Sequence, residues 1–202
     1  MTGPAAPAAR SPVVVPGRGA PGPAGAVVVG LGSALLWLRV DLARAVADPV
    51  PLLVLLFVAL LVVGTAWPLA VSDGDEGLPG RWAGLLALGV GVGVFAAGRL
   101  VGPAHALLPF TARAVTLDSL AAVSEEAFFR RLLYGLLARH GAAVAVAGSA
   151  VAFALVHVST YGGWVVPIDL AAGAVLGWQR WASRSWTVPA ATHVVANLLA
   201  AL

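Results

Sequence analysis

The chain has no cysteine and no lysine, a single methionine, and only 10% charged residues. Without cysteine there can be no disulfide, thiolate nucleophile or cysteine metal cluster, so any metal would need His, Glu, Asp or Asn as ligands. Without lysine, all twelve basic residues are arginine. The sequence pI of about 10.6 rests on a net charge of only +3. So small an excess does not imply a nucleic-acid partner, and arginines in this number suit the flanks of membrane spans better.

What is abundant is apolar surface. Hydrophobic residues make up 60% of the 202 positions, and the mean hydropathy is +0.93, well outside the balance of a soluble domain. The expected fold is all-α, a polytopic integral membrane helical bundle of six to seven transmembrane helices forming one integral domain in the lipid bilayer. Absent lysine together with abundant Ala, Gly, Val and Arg suggests a GC-rich bacterial genome, which makes the expected location a bacterial plasma membrane, multi-pass.

Residues 1–25 hold six prolines and five glycines, a composition that predicts an unstructured tail. Ala26 to Leu38 is short for a span and runs into the charged stretch Arg39 to Val46, so an interfacial helix is expected there, with a seventh span as the alternative. Clear spans are predicted at Val50 to Val71, Trp82 to Val101, Leu117 to Ala138, Ala142 to Val158, Trp164 to Trp181 and Trp186 to Leu202. The polar connector Ser72 to Gly80 lies outside the bilayer, and Gly102 to Ala114 is expected as a surface helix carrying His105. The run Gly89-Val90-Gly91-Val92-Gly93 has no preceding strand and no lysine, so it predicts close helix packing through Gly89 and Gly93 rather than a phosphate loop. Tryptophans 82, 164, 181 and 186 fall at span ends as interface anchors. His105 and His140 are read as surface residues, and Arg139, Arg180 and Arg184 as membrane flanks.

Against this apolar background stand three polar clusters: Ser124-Glu125-Glu126-Ala127-Phe128-Phe129-Arg130, Phe153-Ala154-Leu155-Val156-His157, and His193-Val194-Val195-Ala196-Asn197. Ionisable groups at membrane depth are costly and usually functional. Consecutive spans alternate direction, so depth can be counted. Measured from the face where Leu117 begins its span, here named side X, Glu125 lies about 12 Å deep, His157 returns close to side X, and His193 sits near mid-depth with Asn197 about 6 Å nearer that face. All can converge in one cavity. His193 and Asn197 share a helix face, as do Glu126 and Arg130, whose spacing predicts a structural ion pair. Glu125 is turned about 100° from Glu126 and is left free to act. Phe153 packs beside His157, and Asp169 near side X carries no assigned role.

Together these motifs resemble the CAAX protease and bacteriocin-processing (CPBP) family, the Rce1-like intramembrane proteases, whose pattern is EExxxR, FxxxH and HxxxN. The resemblance covers about Leu117 to Leu202, including Gly173-x-x-x-Gly177-Trp178 and Ser185-Trp186-x-x-Pro189. Arg131 departs from it, because the family usually has a small residue there. The resemblance implies that residues 117–202 are the catalytic core helices, with residues 26–116 as N-terminal membrane helices that match nothing nameable. It implies an endopeptidase in which Glu125 and His157 activate a water while His193 and Asn197 stabilise the oxyanion, with Glu126, Arg130 and Phe153 in support. The substrate would be a membrane-associated protein or peptide. A divalent metal such as zinc on Glu125, His157 and His193 stays open beside the metal-free route. Alternative functions are a non-catalytic membrane immunity or scaffold protein with the same fold, and a proton-coupled transporter, against which the lack of an evident inverted repeat counts. Arginine counting does not orient the chain, since either treatment of residues 26–38 leaves six arginines on one side and four on the other.

Overall fold

The computed structural model describes residues 22–66, 77, 78, 80, 82–101 and 111–201, and among these there is no strand. The helices are α1 (Pro23–Ala45), α2 (Val50–Ala66), α3 (Ala83–Val101), α4 (Ala112–Glu126), α5 (Tyr134–Leu137), α6 (Ala142–Tyr161), α7 (Val166–Ser183) and α8 (Thr187–Ala200). A π-helical segment, Ala127–Leu133, joins α4 to α5, and single 3₁₀ turns, Ala138–His140 and Gly163–Val165, precede α6 and α7. By length and composition α1, α3 and α6 can each cross a membrane.

Two boundaries differ from expectation. The first helix is 23 residues long rather than 13, starting at Pro23 inside the stretch read as tail. Proline is well placed there, because the first turn of a helix has no use for its missing N–H. The rest of the tail, the Ser72–Glu76 part of the connector, and Gly102–Phe110 with His105 lie outside the described residues. α4 begins at Ala112 rather than Leu117, because Thr111 caps it by accepting a hydrogen bond from the Ala114 N–H at 3.1 Å.

Polar contacts sort the helix ends. Arg39 near the end of α1 reaches Glu125 of α4 and Thr160 at the end of α6. Asp48, between α1 and α2, pairs with Arg113 at the start of α4, whose guanidinium holds the Asp48 carboxyl below its ordinary range. Arg99 at the end of α3 donates to the Leu199 carbonyl at the end of α8, 3.2 Å away. One end of the bundle, side X, therefore holds the C-termini of α1, α3, α6 and α8 and the N-termini of α2 and α4.

The α4–π segment is the hub. From Ser124 to Arg130 every residue is buried, so nearly two turns are enclosed on all sides. Leu36 of α1, Leu56, Phe57 and Leu60 of α2, and Phe153 and Val156 of α6 pack with Phe128, Phe129 and Leu132. Side chains pointing away from the hub, such as Leu55, Val62, Leu85 and Leu86, are exposed, as helix faces turned to lipid are.

Small residues set the close approaches. At Gly173 and Gly177 of α7 a Cβ would lie 2.9 Å from the Ala150 Cα and 3.2 Å from a Val146 methyl of α6, so that helix pair depends on the glycine spacing. In α3 the crowded glycine is Gly91, not Gly89 or Gly93, which meet nothing within 4 Å. A Cβ at Gly91 would fall 2.1 Å from the amide of Gln179. That side chain is fully buried, and it donates to the Ala87 carbonyl at 2.7 Å and to Thr192 Oγ1 at 2.8 Å. Gly91 thus admits a polar bridge to α7 and α8, two residues from either glycine at which the sequence pattern placed the contact.

Gly64 gives the sharpest packing prediction. A Cβ there would meet the Ala127 carbonyl carbon at 2.6 Å and the Phe128 nitrogen at 2.8 Å, both backbone atoms that cannot swing aside. Gly64→Ala should cost about 1–3 kcal/mol, read as a lowered unfolding temperature in detergent, whereas Gly89→Ala should be neutral or slightly stabilising. Equal melting of the two variants would contradict the packing described here.

Candidate active site

The site forms where the α4–π hub meets α1, α6, α7 and α8. Its backbone feature is the π segment that starts one residue after Glu126. A π turn widens the helix and re-aims the side chains around it, and such turns recur at functional sites. Here the widened helix presents Glu125, Glu126 and Arg130 inward together.

The two adjacent carboxylates take different partners. Glu126 and Arg130 are both fully buried and pair at 3.2 Å. Arg130 also donates from Nη2 to the Gly173 carbonyl at 3.0 Å and lies 4.7 Å from the centre of the Phe153 ring. Glu126 has a second partner that its sequence position did not reveal: His193 Nδ1, at 3.0 Å from Oε1. The expected ion pair is therefore one side of a three-residue Arg130–Glu126–His193 cluster. A carboxylate on Nδ1 fixes the tautomer and orientation of that imidazole, leaving His193 Nε2 for other work.

Glu125, read as free, is not. Its Oε1 accepts from Arg39 Nη1, while its Oε2 faces His157 Nε2 across 3.8 Å. His157 Nδ1 lies 2.8 Å from the Phe153 carbonyl. A carbonyl only accepts, so Nδ1 carries a proton, and in the neutral ring Nε2 is then left bare toward Glu125. Asp169 Oδ2 is 4.0 Å from the same Nδ1, and Tyr161 stacks on the imidazole at 6.0 Å with a 7° interplanar angle. Phe153 stands between the two histidines, with ring centroids 4.4 Å from His157 and 5.7 Å from His193.

Asn197 lies one helical turn beyond His193 toward side X, and its Nδ2 donates to the Asp118 carbonyl of α4 at 3.3 Å. The site residues read from sequence thus gather along one helix hub, but as two sets. Glu125 and His157 form one and Glu126 and His193 the other, with Asn197 tied to α4 nearer side X.

Among the described residues, no three His, Asp or Glu side chains come together in a way that could hold a metal ion. Glu125, His157 and His193 form no such group; Glu125 gives one oxygen to Arg39 and His193 turns its Nδ1 to Glu126, which leaves Glu125 Oε2 and His193 Nε2 as the atoms a ligand could meet.

Sequence reasoning missed Arg39, Thr160, Tyr161 and the placement of Asp169. A signal for Arg39 was present, since an arginine after the thirteen apolar or small residues Ala26–Leu38, inside a helix long enough to span, is a charge that needs a partner. One flanking assignment is also revised, and the family-pattern departure gains a partner. Arg180 turns inward, donating to the Arg130 carbonyl at 3.1 Å and lying 5.1 Å from the centre of the Tyr134 ring. Arg131, the departure from the family pattern, donates to the Gly64 carbonyl at 2.8 Å and ties the π segment to the end of α2.

Comparison with known proteins gives one family. Residues 106–199 match the family described as type II CAAX prenyl endopeptidase Rce1-like. Neither curated proteins nor solved structures gave a match. The matched span contains all three polar motifs and excludes α1, α2 and α3. Across residues 106–199 the chain thus carries an Rce1-like domain of the CAAX prenyl endopeptidase (CPBP) family.

Proposed function

We propose that this protein is a multi-pass intramembrane endopeptidase of the bacterial plasma membrane, hydrolysing a peptide bond in a membrane-associated protein or peptide. Its helices would cross the bilayer seven times if α1 spans, with residues 26–116 as scaffold and 117–202 as catalytic core. The observation that carries the reading is the gap between Glu125 and His157. At 3.8 Å the two facing atoms are too far apart for a direct hydrogen bond and are both acceptors in this tautomer. A water donating one proton to each is the small molecule that suits such a gap.

In the proposed reaction the water oxygen attacks the carbonyl carbon as its proton passes to Glu125 Oε2. The carbonyl π pair moves onto oxygen, the tetrahedral oxyanion is met by His193 and Asn197, and collapse breaks the C–N bond while Glu125 returns the proton to the departing nitrogen. Glu126 supports this indirectly, because its carboxylate on Nδ1 fixes the orientation of the His193 ring.

One observation favours a second reading. The Arg39–Glu125 pair would also suit a non-catalytic immunity or scaffold protein in which Glu125 is only a buried counter-ion. The discriminating experiment presents internally quenched peptides, among them one ending in a farnesylated cysteine and three further residues, to purified protein in lipid nanodiscs. Cleavage by wild type and not by Glu125→Gln supports the protease. Comparable cleavage by both overturns it.

A further inference from the structure

Arg39 is the part of the site that the family match leaves out. It belongs to α1, outside residues 106–199, yet its side chain is only 12% exposed and its guanidinium is spent on the centre of the site. Nη1 donates to Glu125 Oε1, and Nη2 lies 3.4 Å from Thr160 Oγ1 at the end of α6, one turn beyond His157. The guanidinium fork therefore spans from the glutamate to the helix that carries the histidine.

We propose that Arg39 is a positioning residue for Glu125, supplied to the Rce1-like domain by the N-terminal helix; this rests on the protease reading above. A carboxylate has two oxygens and rotates freely about its last bond unless one of them is held. Arg39 holds Oε1, which points Oε2 at His157 Nε2 and at the water between them. A permanent charge is needed for this, because a neutral partner would leave a buried carboxylate poorly compensated. The planar fork is needed as well, because a lysine ammonium is a point charge that cannot hold Glu125 and Thr160 in one fixed geometry.

α1 is then a working part of the site rather than packing around it. The cost of misorienting a base is large, since a displacement of about 1 Å can lower a rate about 100-fold. Arg39→Gln should accordingly lower kcat by about 100-fold, with KM for the farnesylated probe peptide within about twofold of wild type, and Arg39→Lys should recover part of the loss. A residue that merely stabilised the fold would instead lower the active fraction without the partial recovery by lysine.

The experiment measures kcat and KM for wild type, Arg39→Gln, Arg39→Lys and Glu125→Gln in nanodiscs. Alongside it, the infrared carboxylate stretch of Glu125 is isolated as the wild-type minus Glu125→Gln difference and compared with the same difference in the Arg39→Lys background. That second measurement needs no substrate and uses the most conservative variant, so it decides the matter even where Arg39→Gln does not fold or the probe peptide is not turned over. The expected result is a shifted carboxylate band together with the kcat loss. An unshifted band, or Arg39→Gln turning over at the wild-type rate or faster, overturns the role of Arg39, and the protease reading survives while Glu125→Gln stays inactive. Activity in Glu125→Gln overturns both.

Discussion

Glu125→Gln should lower peptide hydrolysis by about 10²–10⁴-fold while leaving substrate binding nearly unchanged. Glutamine keeps the volume and the carbonyl that accepts from Arg39, but it replaces Oε2 or Oε1 with a donor and cannot take a proton from water. The loss is expected in kcat, because the missing interaction exists only as the proton moves. The check is a full kinetic comparison on a cleaved peptide, with the folded fraction of each variant measured by its elution as a monodisperse species. A variant retaining a tenth of wild-type kcat would remove Glu125 from the role of base.

Arg130→Met carries the largest expected stability loss. Arg130 and Glu126 are both fully buried, so removing the cation leaves a carboxylate in a dry interior with His193 as its remaining named partner. Breaking one side of such a pair costs about 3–5 kcal/mol, which for a chain of this size is a fall of roughly 10 °C in unfolding temperature. The hydrogen bond to the Gly173 carbonyl and the contact with the Phe153 ring are lost with it.

The double variant Glu126→Leu/Arg130→Met should recover much of that stability, because two apolar side chains of similar volume avoid the desolvation of both charges. It should stay inactive, because His193 loses the carboxylate that orients it. Thermal unfolding in detergent and peptide turnover then separate two jobs of Glu126, one in folding and one in holding the histidine. Recovery of both stability and turnover would show that His193 needs no carboxylate.

The contrast between the two glutamates shows why the site was only partly legible. Local rules run along one helix, so the i, i+4 pairing of Glu126 with Arg130 was readable from the chain, and counting about 1.5 Å per residue put the polar groups within reach of one cavity below side X. Those rules do not say how each helix is rotated against its neighbours. His193 could have served either carboxylate, and its choice of Glu126 depends on the rotation of α8 and on the π segment that re-aims the hub.

The glycine contact in α3 failed for the same reason. Gly89, Gly91 and Gly93 are equivalent as sequence, and the position of Gln179 on α7 makes Gly91 the crowded one.

The sequence by itself determined that this is an apolar all-helical chain with three polar motifs able to meet below one face and an Rce1-like segment, because composition, helical period and motif order are properties of the chain alone. Only the tertiary structure decided which histidine faces which glutamate and that Arg39 enters the site from 86 residues away in sequence. Those are relations between helices, set by packing, and no local pattern encodes them.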